Sequence, residues 1–328
     1  NRVVRMINFF ILQRYAFFPN PANIRQYLFV VSRFFFTFAV SNNIYRQMIL
    51  IADSGSTKTD WILHNPKINI KFTTSGLNPY HQNRQQIEQV LQEVSDRVLN
   101  SQPKISEPLS VYFYGSGVRP EQEAPMANLL RNSLPNVDVV ETHSDLLGAA
   151  RALCGYNYGI ASILGTGANS CLYDGEHIQK NTPALGYILG DEGSGAVLGK
   201  RFVHDLYAGV LSEKLKAEFE RETGLSLAQI IERVYRQPLA NRFLASLSEF
   251  IHDHLDDPAV EALVCQNFTD FIRLHITPYG RKDLPLSFVG SIAYYYREQL
   301  VKAVSDLEYT FGSVLRSPID GLVRYHVC

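Results

Sequence analysis

The alternation of apolar and polar positions first becomes regular at Met48. Residues 48–52 are an unbroken apolar run that ends at Asp53. A turn of small polar residues follows, and apolar character returns at Trp61, Ile62 and Leu63. This predicts a buried strand, a tight turn and a second strand. Residues 68–73 alternate well enough for a third strand. In the loop 75–81, Pro79 holds Asn78 out of helical geometry. Ile87, Val90, Leu91, Val94 and Leu99 share one face of a predicted helix over 82–99. A short buried strand at 109–114 runs into Gly115-Ser-Gly117. A helix at 126–134, a strand at 137–140 and a helix over 143–152 with a polar opening come next. The predicted order is β-β-β-α-β-α-β-α.

The same order then starts again. Residues 160–164 form a strand entering Gly165-Thr-Gly-Ala-Asn-Ser170, 171–173 leave it as a second strand, and Asp174-Gly175 is a hairpin signal. Helices are predicted over 195–211, 212–223, 227–236, 241–255 and 259–277, and a strand over 284–289. Gly290-Ser291 opens a further helix, and 317–326 read as a terminal turn and helix. Two strand–turn–strand units at the head of two similar runs imply two related halves with their turns facing across a cleft.

Composition narrows the class. A chain of 328 residues, 46% hydrophobic and 19% charged, is globular and long enough for two domains. A formal charge of −1 argues against an electrostatic nucleic-acid footprint. Cys154, Cys171, Cys265 and Cys328 form no C-x-x-C pair, so neither a zinc site nor a disulfide framework is expected, and a reducing cytosol fits. Residues 1–47 are unlike the rest, with six arginines, no lysine and no acidic residue. The apolar run 26–40 contains Arg33 and is too short for a membrane span. We expect Met48 to be the natural start and 1–47 to be a non-native leader; a targeting or membrane-surface segment is the alternative.

The first turn has the chemistry to wrap an anion. Gly55 admits positive φ, and Ser54, Ser56, Thr57 and Thr59 add hydroxyls to a row of backbone N–H groups. A carboxylate at the strand end, Asp53, can hold a magnesium ion beside it. An ordinary polar hairpin turn would leave the same local pattern. The G-x-x-x-x-G-K-[ST] spacing of a Walker A loop is absent.

Taken in order, four motifs give the chain a specific resemblance. Asp53-Ser-Gly-Ser-Thr57 resembles a first phosphate motif and Leu164-Gly-Thr-Gly-Ala-Asn169 a second. Gly190-Asp-Glu-Gly-Ser-Gly195 follows, and Phe288-Val-Gly-Ser-Ile-Ala293 resembles an adenosine motif. The sequence resembles the actin-like ATPase superfamily of sugar kinases, Hsp70 and actin. Within it, the match is to the BadF/BadG/BcrA/BcrD ATPase family and its N-acetylglucosamine kinase branch. The resemblance implies an α/β fold of two ribonuclease H-like, actin-type ATPase domains, 48–155 and 156–328, flanking a nucleotide cleft. The helices of the second half form an insert on its nucleotide side.

It further implies an ATP-dependent phosphotransferase acting on a small-molecule sugar, with ATP and Mg²⁺ as cofactors. Neither nucleic acid nor membrane is an expected partner, and a homodimer is compatible with the family. Asp145 corresponds to the catalytic base, although a helix cap or first-turn acid would place an aspartate there too. Asp53 is assigned to the magnesium, and a plain turn residue is its alternative. Gly55, Ser56, Thr57, Gly165, Thr166 and Gly167 are assigned to the phosphates, and Gly290 and Ser291 to the nucleoside. Asn78, Ala168, Asn169, Gly186, Tyr187 and Asp191 are assigned to the sugar, with a helix N-cap as the alternative for Asp191. The chain departs from the family where the kinase branch has a Gly-Trp-Gly-His-like stretch and this sequence reads Ala184-Leu-Gly-Tyr187. Pocket walls set substrate identity, so the departure bears on which sugar is taken. Two rivals share the family or fold. One is an ATPase activator of a radical dehydratase or reductase, which holds an iron–sulfur cluster through cysteines. The other is a non-catalytic sugar-binding homologue.

Overall fold

The computed structural model describes residues 48–55, 58–79, 82–101 and 108–327. The expectations for the 1–47 leader, and for Ser56 and Thr57, lie outside the described residues.

The predicted duplication is present. The first sheet holds β1 (Met48–Ser54), β2 (Lys58–Asn65), β3 (Ile68–Ser75), β4 (Leu109–Gly115) and β5 (Val137–Ser144) in the order β3-β2-β1-β4-β5. The second holds β6 (Gly159–Leu164), β7 (Ala168–Tyr173), β8 (Ile178–Asn181), β9 (Leu286–Val289) and β10 (Phe311–Leu315) in the order β10-β9-β6-β7-β8. Read from the other edge, the second order is the first one repeated. In each half the opening strands pair antiparallel, and the two later strands join parallel to the first. The carboxyl ends of the parallel strands therefore gather at one edge of each sheet, where ligands of open α/β sheets bind.

Helices α1 (Arg84–Ser101) and α2 (Pro120–Ser133) pack on the first sheet, and α3 (Asp145–Cys154) connects the halves. α2 starts six residues before the helix expected at 126. Pro120 sits at its first turn, where the missing N–H costs nothing, and Pro125 is carried inside. β5 runs on to Ser144, so the chain turns into α3 only at Asp145.

In the second half, α4 (Gly186–Leu189) precedes a helical insert, as expected from the sequence. Its members are α5 (Gly195–Tyr207), α6 (Glu213–Thr223), α7 (Leu227–Tyr235), α8 (Ala240–Ser246), α9 (Ser248–Asp253) and α10 (Pro258–Phe271). The helix predicted over 259–277 continues from α10 as a π-helical turn, Ile272–Ile276. Two short helices, α11 (Ser291–Tyr295) and α12 (Arg297–Asp306), follow β9.

Each half has its own apolar core. One centres on Leu50, Trp61, Phe113 and Leu91, and the larger on Phe202, Phe219, Phe268 and Phe288. Two smaller layers lie around α3. The last helix, α13 (Ile319–Val327), crosses back to the first sheet and covers Ile49, Ile51 and Ile62 with Ile319 and Leu322.

Candidate active site

The strand ends supply the polar groups of the cleft. Asp53 is the next-to-last residue of β1, opposite Asp60 of β2 and beside Tyr114 of β4. Beyond it, the buried Ser54 hydroxyl lies 2.7 Å from Thr59 Oγ1 and accepts from the Leu77 N–H at 2.9 Å. This fastens the 76–78 loop beside the first turn and presents Asn78. Ser116, Gly117 and Arg119 follow the end of β4, and Asp145 follows the end of β5.

From the other half, β6 delivers Gly165, Thr166 and Gly167. The Gly165 N–H closes the turn onto the Gly167 carbonyl at 3.0 Å. Helix α5 braces this turn from behind, since its Gly195 and Ala196 N–H groups bond the carbonyls of Gly165 (2.8 Å) and Thr166 (3.2 Å).

These elements enclose a cavity of about 700 Å³ between the halves. Of the residues expected from sequence, Asp53, Gly55, Asn78, Asp145, Gly165, Thr166, Gly167, Ala168, Asn169, Gly186 and Asp191 line it. Three others do not. Gly290 packs behind the second turn, where a Cβ would come within 2.2 Å of the Leu164 carbonyl oxygen. Ser291 is exposed beside it. Tyr187 is partly buried against the core of the second half, and its carbonyl accepts from Lys200 Nζ at 2.9 Å.

The cavity also takes in Lys58, Asp60, Ser116, Gly117, Arg119, Ile163 and Ala184, which the sequence reading did not assign. Gly115-Ser-Gly117 carried the usable signal, a glycine-bracketed turn at the end of a buried strand. Lys58 Nζ donates to both Asp60 oxygens at 2.7 and 3.0 Å, and Thr73 Oγ1 donates to Asp60 at 3.0 Å.

The aspartates differ in setting. Burial pushes the Asp53 carboxyl up to about 7, reinforced by the charges of Asp145 and Asp60 and opposed by Lys58. Asp145 is raised by burial and held back by the Leu146 N–H, which donates to its Oδ1 at 2.9 Å. Asp145 is not the cap of α3. Ser144 is, its hydroxyl accepting from the Leu147 N–H at 3.3 Å. Asp191 is likewise not a cap, because Ser194 caps α5. Burial raises the Asp191 carboxyl, while N–H groups of Gly186 and Ala168 and the nearby His275 hold it down. Asn169 Oδ1 accepts from the Ser170 N–H and from Asn181 Nδ2, which fixes its side chain at the rim.

Among the described residues, no three histidine, cysteine, aspartate or glutamate side chains gather to hold a metal. Carboxylates that disfavour one another's charge next to a glycine turn rich in N–H groups suit a magnesium held mainly by water and phosphate oxygens. No helix of the described residues is long and apolar enough to cross a membrane. Burial pushes the Cys154 and Cys171 thiols up to about 11 and about 12, so both stay protonated in the layer around α3.

Two repeats of one strand–helix pattern, facing each other over a cleft with a glycine turn on each side, define an actin-like ATPase fold. The chain is 50% identical to the "putative N-acetylglucosamine kinase" of Porphyromonas gingivalis. That match covers 85% of this chain and 99% of that one, with a TM-score of 0.80. The "putative N-acetylglucosamine kinase" of Chromobacterium violaceum is 20% identical over 86% of this chain and 99% of its own, with a TM-score of 0.66, and shares the fold. A ROK-family transcriptional regulator shares it more distantly, at 11% identity over 86% of this chain and 78% of its own and a TM-score of 0.53. No family model and no curated protein matches the chain. The chain belongs to the N-acetylglucosamine kinase-like branch of the BadF/BadG/BcrA/BcrD ATPases, within the actin-like ATPase superfamily.

Proposed function

We propose that the protein is a cytoplasmic ATP-dependent sugar kinase that phosphorylates N-acetylglucosamine or a related amino sugar, with Asp145 as general base. The observation that carries this reading is the position of Asp145. It lines the cleft between the halves, its carboxyl raised by burial; Ser144 takes the capping role, and Asp145 is the acid of the first turn. The two domains of this reading are 48–155 and 156–328, the first completed by α13.

Phosphoryl transfer needs a positioned acceptor, neutralised phosphate charge and a base at the acceptor hydroxyl. The sugar lies against Asn78, Asn169 and Asp191, its reacting hydroxyl toward Asp145. Asp145 accepts the hydroxyl proton as the sugar oxygen bonds to the γ-phosphorus of ATP and the bond from that phosphorus to the bridging oxygen breaks, releasing ADP. A carboxylate whose pKa is raised by burial accepts a proton better than an ordinary aspartate. The Gly167 N–H and the Thr166 hydroxyl hold the phosphates from one side, on a turn closed by the Gly165 N–H, and Gly55 with its turn holds them from the other. Asp53 would hold Mg²⁺, which would supply positive charge to the phosphate oxygens. Leu185, where the family places tryptophan, is 58% exposed beside the cavity-lining Ala184 and Gly186.

A coupled ADP-release screen over hexoses, hexosamines and their N-acetyl forms tests the proposal. Sugar-dependent release with an N-acetylated or free hexosamine as best substrate is expected. No release with any sugar would overturn it.

A further inference from the structure

Asp191 meets the cleft from a left-handed backbone, φ 61°. That conformation costs a non-glycine residue free energy and persists only where the surroundings hold it. Here the hold comes from the helical insert. Glu192, the next residue, pairs with His275, Oε2 to Nε2 2.9 Å. His275 stands in the π-helical turn that continues α10, an irregularity that costs backbone free energy and is frequent at functional sites. Its own carbonyl accepts from Thr182 Oγ1 at 2.8 Å and Ser170 Oγ at 3.4 Å. One residue thus joins the cleft loop, strand β7 and the segment after β8.

The same helix grips the next two residues of the loop. The buried Asn267 accepts from the Gly193 N–H at 3.2 Å and donates to the Ser194 carbonyl at 3.3 Å. Gly193, at φ 83°, lies so close to the helix that a Cβ would fall 2.8 Å from that of Phe271. The His275 ring stacks on Phe271, centroids 5.2 Å apart. His275 is 7% exposed, and no step of the phosphoryl transfer uses it.

We propose that the Glu192–His275 pair is the positioning device of the sugar side. It fixes the 191–194 loop so that the Asp191 carboxylate keeps its place in the cleft beside Gly167, toward the sugar. The inference rests on the kinase reading for its substrate but on the loop's own contacts for its geometry. A paired charge in a half-buried site holds direction well, and loss of one partner leaves the other unsatisfied.

The test compares His275→Leu with His275→Gln, whose amide nitrogen can replace the Nε2 donor. Steady-state kinetics are read alongside amide exchange of residues 184–191 without substrate. For His275→Leu, a sugar KM raised about tenfold or more, a nucleotide KM within about twofold and faster exchange over 184–191 are expected, with most of each effect recovered in His275→Gln. Should His275→Leu fail to fold, Glu192→Ala must give the same pattern from the more exposed partner. Unchanged sugar KM and exchange, or equal loss in the leucine and glutamine variants, overturns the inference. If the wild type phosphorylates no sugar, the kinase reading fails while the exchange comparison still decides the positioning role.

Discussion

Asp145 and Asp53 both line the cleft, and the charge of Asp145 helps raise Asp53, yet the two ask for opposite treatment. Asp145→Asn keeps size and hydrogen bonding but cannot take a proton. Its kcat should fall by about 10²-fold or more, with ATP affinity near that of the wild type. Because Ser144 does the capping, a wild-type turnover could not be explained by asparagine's capping ability and would remove Asp145 as the base. Asp53 predicts a stability effect instead. Its folded-state pKa of about 7 lies above the ordinary 3.8, so the folded protein keeps a proton that the unfolded chain has lost. Stability is therefore lost as pH rises from about 4 to 7. Asp53→Asn should melt higher than the wild type at pH 8 without nucleotide or metal, by roughly 2–4 kcal/mol, and converge with it near pH 4. Thermal melts across that range check the sign. The same variant should lose activity, a stability–function exchange common at charged sites. Asp53 was legible in the sequence because it ends an apolar run before a glycine turn, whereas Asp145, inside a predicted helix, and Asp191 were assigned through the family resemblance. Lys58, Asp60 and Arg119 were not. Lys58 and Asp60 reach the cleft through hairpin register and Arg119 through the start of α2, and neither leaves a local pattern.

At the scale of elements, the cap of α3 links fold to chemistry. Ser144→Ala removes the acceptor of the Leu147 N–H and should cost about 1 kcal/mol of stability. It should also loosen the first turn that carries Asp145, so kcat should fall while sugar KM changes little. Denaturant unfolding and kinetics on one preparation separate the two effects. The strands with a clear apolar run, β1, β2, β4, β6 and β9, were all visible in sequence. β8 and β10 were not, since their short runs are mostly polar or half-exposed. Edge pairing depends on the neighbour's backbone more than on side-chain pattern. The departure of Tyr187 from the cavity has a similar cause, because the short helix α4 turns it onto the core and leaves Leu185, Ile188 and Leu189 outward.

Across the whole molecule, α13 ties the end of the second half to the first sheet. His326 Nε2 lies 2.7 Å from the Tyr114 hydroxyl, which also accepts from Arg151 Nη1 at 2.8 Å, and the imidazole stacks on Tyr112. Burial first, then the Arg151 charge, pushes the His326 pKa down to about 3, so the folded protein holds the ring neutral. With the folded value below the ordinary 6.5, stability is present above about 6.5 and lost as pH falls toward 3. His326→Phe keeps the stack and cannot be protonated. It should cost about 1 kcal/mol at pH 8 through the lost hydrogen bond and flatten the acid-side decline of the melting temperature. An unaltered acid limb would show that His326 is not its source.

The crossing of α13 also has a bearing on synthesis. Domains generally form as units while the chain is being made, the earliest first. Here the outer apolar face of β1 and β2, with Ile49, Ile51 and Ile62, is covered in part by Ile319 and Leu322 of α13, which follows the whole second half. During synthesis the first half therefore lacks the part of this cover that α13 supplies, and that part of the face stays open until the second half has been translated. A stalled or shortened message would release a fragment prone to aggregate, even though its share of the cleft had already been made.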